Sequence, residues 1–131
     1  MMKNNKIKTQ QFTILGSLPG MSEIIDAAKI HWSNYSKMKE KYTNIVIENI
    51  WESINSPLIK YDEIDVDIFW IEPNYKRDYD NIMGGQKFIF DGIRTAGIIS
   101  DDSQKHIGSI TNHFDTDKIN PRIIVTVKGE K

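Results

Sequence analysis

The chain has 131 residues, 39% of them hydrophobic and 27% charged, with 17 basic and 18 acidic side chains for a net charge of −1. That length suits a single domain with its own core, and the recurrence of Ile, Phe, Trp and Tyr along it argues against disorder. Zero cysteines exclude thiol catalysis, disulfide scaffolds and cysteine zinc fingers, and the lack of any run of 18 apolar residues excludes a membrane-spanning helix.

Met1-Met2-Lys3-Asn4-Asn5-Lys6 lacks the apolar stretch of a secretory signal, so a cytoplasmic address is expected. Phe12 to Leu15 reads as a short strand ended by Gly16, and Leu18-Pro19-Gly20 as a turn. Ser22 is expected to cap a helix whose buried stripe is Ile24, Ile25 and Ala28. A second helix should run from about Met38 to Ile54, because Ile47, Ile50, Trp51 and Ile54 recur at the helical period. Ile64, Val66 and Ile68 alternate with Asp65 and Asp67, the pattern of a strand with one polar face, and Pro73 should end it. A helix is expected from near Asn81 to Ala96, closed by Gly97. His106–Phe114 and Arg122–Val127 read as two final strands joined by a loop containing Asn120-Pro121. The order β, α, α, β, α, β, β predicts a single-domain α+β fold, with one small mixed sheet packed against helices. Trp32, Trp51 and Trp70 read as core, and His31, His106 and His113 as structural or surface residues without metal-ligand spacing.

Charge is uneven along the chain. Residues 1–60 hold eight basic and five acidic side chains, whereas the rest hold nine and thirteen. Asp78 and Asp80 are two apart, so in an extended segment their side chains share a face. A hard divalent cation relieves the repulsion of such a pair, since Mg²⁺ takes oxygen ligands and often only one or two carboxylates. The same spacing also suits a solvated turn. From Asp80, Lys87 is seven residues on and Asp91 eleven, which places all three on one helical face, with Gly84 leaving that face uncrowded. Phe88, Ile89, Ile93 and Ala96 form the opposite, core-facing side. A Lys and an Asp four apart also make an ordinary structural ion pair. Gly84 and Gly85 cost a helix about 1 kcal/mol each relative to alanine, which signals a kink, a loop or close approach to a ligand. The phosphate-loop spacing and the G-x-S-x-G elbow are both absent. Tyr35 with Lys37, Lys39 and Lys41 suits either a solvated helix face or a track for phosphates.

Taken in order, Arg77-Asp78-Tyr79-Asp80-Asn81, Lys87-Phe88-Ile89-Phe90-Asp91 and Ala96-Gly97-Ile98-Ile99-Ser100-Asp101-Asp102 resemble the RusA family of Holliday junction resolvases. Leu18-Pro19-Gly20-Met21 and Lys37-Met38-Lys39 look like the amino-terminal part of its phage members, and Phe114 with Asn120-Pro121-Arg122-Ile123 like its final strands. The likeness spans about residues 11–128. It implies a RusA-like fold and a Mg²⁺-dependent endodeoxyribonuclease, with Mn²⁺ as a substitute. It also implies paired symmetric nicks in four-way DNA junctions, made by a homodimer in the cytoplasm of a bacterial host, with no membrane involved. Asp78, Asp80 and Asp102 match the metal-binding catalytic carboxylates, and Lys87 the essential lysine. Asp91 and Asp101 are additional acidic positions of the same segments. Lys37, Lys39, Lys41, Lys76, Arg77 and Lys105 are the expected phosphate contacts. The chain departs from some family members in placing the lysine seven residues after the second Asp instead of four, a difference of nearly one helical turn. Two rivals are a protein of the same fold that binds branched DNA without cutting it, and a metal or protein-interaction module with a Ca²⁺-type acidic surface.

Overall fold

A computed structural model describes residues 6–55 and 57–130. Residues 1–5, most of the stretch read for a targeting signal, lie outside it. The chain runs β1 (Ile7–Leu15), α1 (Met21–Ile30), α2 (Trp32–Ser53), β2 (Ile64–Glu72), α3 (Tyr79–Met83), α4 (Gln86–Ala96), β3 (Ile107–Thr116) and β4 (Arg122–Glu130). This is one small α+β domain with a four-stranded mixed sheet in the order β1-β4-β2-β3. No helix of the described residues is long and apolar enough to cross a membrane.

Alternation builds the central strand β2. Ile64, Val66, Ile68 and Trp70 are buried, whereas Asp65 and Phe69 between them are exposed. β4 pairs antiparallel with both β1 and β2, and its Ile123, Val125 and Val127 enter the same core as Phe12 and Ile14 of β1. β2 and β3 are parallel, so the chain must cross over between them, and α3 with α4 forms that crossover. Phe88, Ile89 and Ile93 of α4 close the core from the helical side, joined by Val46 and Ile50 of α2. Each such side chain contributes about 1.5–3 kcal/mol relative to leaving it in water.

The predicted strands are present, with β1 beginning at Ile7 instead of Phe12. The third predicted helix is divided at Gly84-Gly85 into α3 and α4, and Gly97 takes the left-handed conformation (φ 89°) that ends α4. The first two helices need correction. α1 begins at Met21 with Gly20 as its cap, not Ser22, and buries no residue fully. It packs on α2 and α3, so Ile24 is partly covered while Ile25 and Ala28 stay exposed. α2 starts at Trp32, because the His31 ring Nδ1 accepts from the Ser33 N–H at 3.1 Å and caps it. Its inward stripe is Val46 and Ile50, which leaves Trp51 56% exposed, and Trp32 at the helix start is 70% exposed. Only Trp70 of the three tryptophans is core; its indole N–H donates to Asn112 Oδ1 at 2.7 Å.

Candidate functional site

The segment Arg77-Asp78-Tyr79-Asp80-Asn81 separates into inner and outer residues. Arg77 Nε and Nη2 donate to the two carboxylate oxygens of Glu72, at 2.9 and 3.0 Å, and Nη1 donates to the Leu18 carbonyl at 3.1 Å. Glu72 is buried, and Glu23 adds a second carboxylate 3.4 Å from Nη1. Asn81 Oδ1 accepts from the Ser22 N–H at 2.9 Å. Both ends of the segment therefore pin the loop and helix start at residues 18–23. Arg77, expected to contact phosphate, has its guanidinium engaged within the fold.

Asp78, Tyr79 and Asp80 point the other way and are exposed. Asp78 is the N-cap of α3, with extended backbone, and Asp80 lies in its first turn, where a negative charge is favoured by the free N–H groups of the helix start. The Tyr79 ring stacks on Phe114 with centroids 4.2 Å apart. Together with Glu72, Tyr75, Arg77 and Asp78 they line an open groove of about 370 Å³.

Gly84 and Gly85 do not break the path from Asp80 to Lys87. Both keep right-handed helical dihedrals (φ −55° and −63°). The ladder tightens to i→i−3 bonds, with Gly84 N–H to the Asn81 carbonyl at 3.1 Å, Gly85 to Ile82 at 3.1 Å and Phe88 to Gly85 at 3.1 Å. Sterics require glycine at 84, where a β carbon would come to 2.5 Å from the Met21 nitrogen; one at 85 would pack tightly, 3.1 Å from Leu18 Cβ and 3.2 Å from the Trp70 ring. Position 84 is thus filled by the chain's own backbone, not uncrowded as expected, and the close approach is to protein.

α4 carries the largest departure from expectation. Asp91 is 1% exposed, not on an open face. Lys87 Nζ stands 3.5 Å from its carboxylate, Arg94 Nη2 3.6 Å and Lys39 Nζ of α2 3.8 Å. Among the described residues, neither carboxylate oxygen accepts a hydrogen bond from the protein. Arg94 Nη1 also lies 3.8 Å from the half-buried Asp102. Lys87, Asp91 and Arg94 recur at i, i+4 and i+7, a spacing that would have singled out Arg94, which received no role from the sequence.

The remaining expected residues are dispersed. Asp101 is exposed, and its carboxylate accepts the Asp102 N–H at 2.9 Å. Lys37, Lys41, Lys76 and Lys105 are exposed, with Lys41 5.2 Å from the centre of the Tyr42 ring. Among the described residues, Asp78, Asp80 and these four lysines make no ion pair. Two exposed, unpaired carboxylates at one helix start are suitable donors for a hard cation. The structure does not gather Asp102 with them: among the described residues, no three His, Asp or Glu side chains are grouped to hold a metal ion.

No family model matches the chain, and no curated protein matches it.

Proposed function

We propose that this chain is a Mg²⁺-dependent endonuclease that cuts four-way DNA junctions, the activity its resemblance to the RusA family implies. One observation supports the reading most. Arg77 and Asn81 turn inward to hold the loop, which leaves Asp78 and Asp80 in solvent without a basic partner among the described residues. They sit on α3, which runs directly into α4, and the cations of α4 reach Asp102 through Arg94.

Asp78 and Asp80 would hold the cation; Asp102, the third ligand that the resemblance implies, is not grouped with them among the described residues. When bound, Mg²⁺ lowers the pKa of a water and offsets charge on the phosphate oxygens. Lys87 donates to those oxygens as negative charge grows on them. Water adds to phosphorus, the bond to the 3′ oxygen breaks, and that oxygen leaves with a proton, giving 5′-phosphate and 3′-hydroxyl ends. Lys37, Lys41, Lys76 and Lys105 hold backbone phosphates, which positions DNA without reading its sequence. A four-way junction has approximate two-fold symmetry, so two cuts call for two sites related by a matching axis in a homodimer.

The test compares labelled four-way junction with linear duplex in Mg²⁺, for the native chain and Asp80→Asn. Paired symmetric nicks that the substitution abolishes support the reading. Equal cutting by both proteins, or none by either, overturns it. Gel shifts of the junction in EDTA with no product in Mg²⁺ would instead identify a binder of branched DNA.

A further inference from the structure

We propose that Asp91 is a positioning residue for a phosphate clamp: its buried carboxylate draws Lys39, Lys87 and Arg94, from two helices, into one cationic cluster for the DNA backbone. The identity of the ligand rests on the reading above, but the clamp needs neither metal nor cleavage.

The charge balance is the first reason. Three cations surround one carboxylate, at 3.8, 3.5 and 3.6 Å. A structural ion pair needs one partner, whereas here, even with Asp102 facing Arg94, one positive charge is left over. The second reason is geometry. Charge-assisted hydrogen bonds close to about 2.7–2.9 Å, yet Asp91 accepts none from the described residues. It therefore holds the three heads by charge while none of them donates a hydrogen bond to it. The third is exposure. Asp91 is inaccessible, but the Lys39, Lys87 and Arg94 side chains are 41%, 45% and 41% exposed, so an external anion reaches them without displacing the carboxylate. Placing three ammonium and guanidinium groups together without an anion is repulsive, and burying a carboxylate without hydrogen bonds is unfavourable. Each feature offsets the other, and a phosphodiester completes the set. Arg94 also faces Asp102, so the cluster borders the acidic residue assigned to the cleavage site.

The experiment measures binding of a fluorescein-labelled four-way junction by anisotropy in EDTA, across a range of salt. Lys39→Gln and Arg94→Gln should each weaken binding and lower the slope of log K against log salt by about 1, the loss of one phosphate contact. Asp91→Asn gives the sharper result. It removes one negative charge from the protein, so net charge alone requires tighter binding, whereas a positioning role requires weaker binding with a lower slope. Thermal unfolding checks that each variant is folded. Should Asp91→Asn fail to fold, the two half-exposed cations decide the matter. Unchanged slopes for Lys39→Gln and Arg94→Gln, tighter binding by Asp91→Asn, or no binding by the native chain would overturn the clamp. A protein that binds as expected but cuts nothing in Mg²⁺ sinks the nuclease reading and leaves the clamp standing.

Discussion

Gly92 of α4 lies so close to Val46 of α2 that a β carbon at position 92 would come to 2.5 Å from Val46 Cγ1. This contact sets the separation of two helices whose side chains meet at the cationic cluster. Lys39 lies two turns before Val46 on the same face of α2, and Asp91 immediately precedes Gly92. Their heads stand 3.8 Å apart.

Gly92→Ala should therefore destabilise the protein by about 1–3 kcal/mol, the usual cost of overpacking a core. Urea unfolding would read this as a lower midpoint with an unchanged slope. Adding Val46→Ala should recover part of the loss, so that the double substitution costs less than the two single ones combined. Strict additivity would show that the helices do not meet at this point.

Arg77→Gln should cost about 3 kcal/mol, because it leaves the buried Glu72 carboxylate without its guanidinium. Denaturant unfolding measures the loss. The same variant should leave the salt dependence of DNA binding unchanged, since Arg77 is engaged inside the fold. Lys76→Gln, one residue away and exposed, should instead lower the salt slope by about 1 with little effect on stability. Reversal of the two patterns would restore Arg77 as a phosphate contact.

Asp117 gives a pH dependence confined to the loop between β3 and β4. The backbone N–H groups of Asn120 and Ile119 donate to its carboxylate at 3.1 Å each, and Arg122 lies 3.1 Å away. The Asn120 and Ile119 bonds, with Arg122 assisting, hold the Asp117 carboxyl below its ordinary value. Its folded pKa is thus lower than its unfolded one. The stability from these contacts is complete above the unfolded value and is lost as pH falls through the folded one. Amide resonances of Ile119 and Asn120 should titrate with a midpoint below that of an ordinary aspartate, and Asp117→Asn should remove the transition. A midpoint at or above the ordinary value would contradict the geometry.

The strand Ile64–Glu72 and the end of α4 at Gly97 were legible because both are local properties. A period of two fixes which strand side chains share a face, and a left-handed C-cap asks for glycine wherever the helix lies. The face that α2 turns inward was not legible in the same way. Neighbouring helical residues differ by about 100°, and whether Val46 or Ile47 faces the core depends on where α4 sits. His31 was overlooked as a cap because imidazole is an uncommon one.

The site divides along the same line. The sequence by itself determined the alternation of the strand at Ile64–Ile68, a helical segment between it and the last two strands, and the order of Arg77, Asp78, Asp80, Lys87, Asp91 and Asp102 along the chain. That β2 and β3 run parallel, which makes this segment a crossover, came from the structure. It also placed Lys87 and Asp91 on one helical face, since that follows from 3.6 residues per turn. Tertiary structure alone decided that Arg77 and Asn81 turn to Leu18 and Ser22, each 59 residues away, and that Asp91 is enclosed with Lys39 from another helix. The physical reason is that burial and ion pairing are set by whichever chain segment arrives opposite a side chain, and spacing along one helix or strand carries no record of that neighbour.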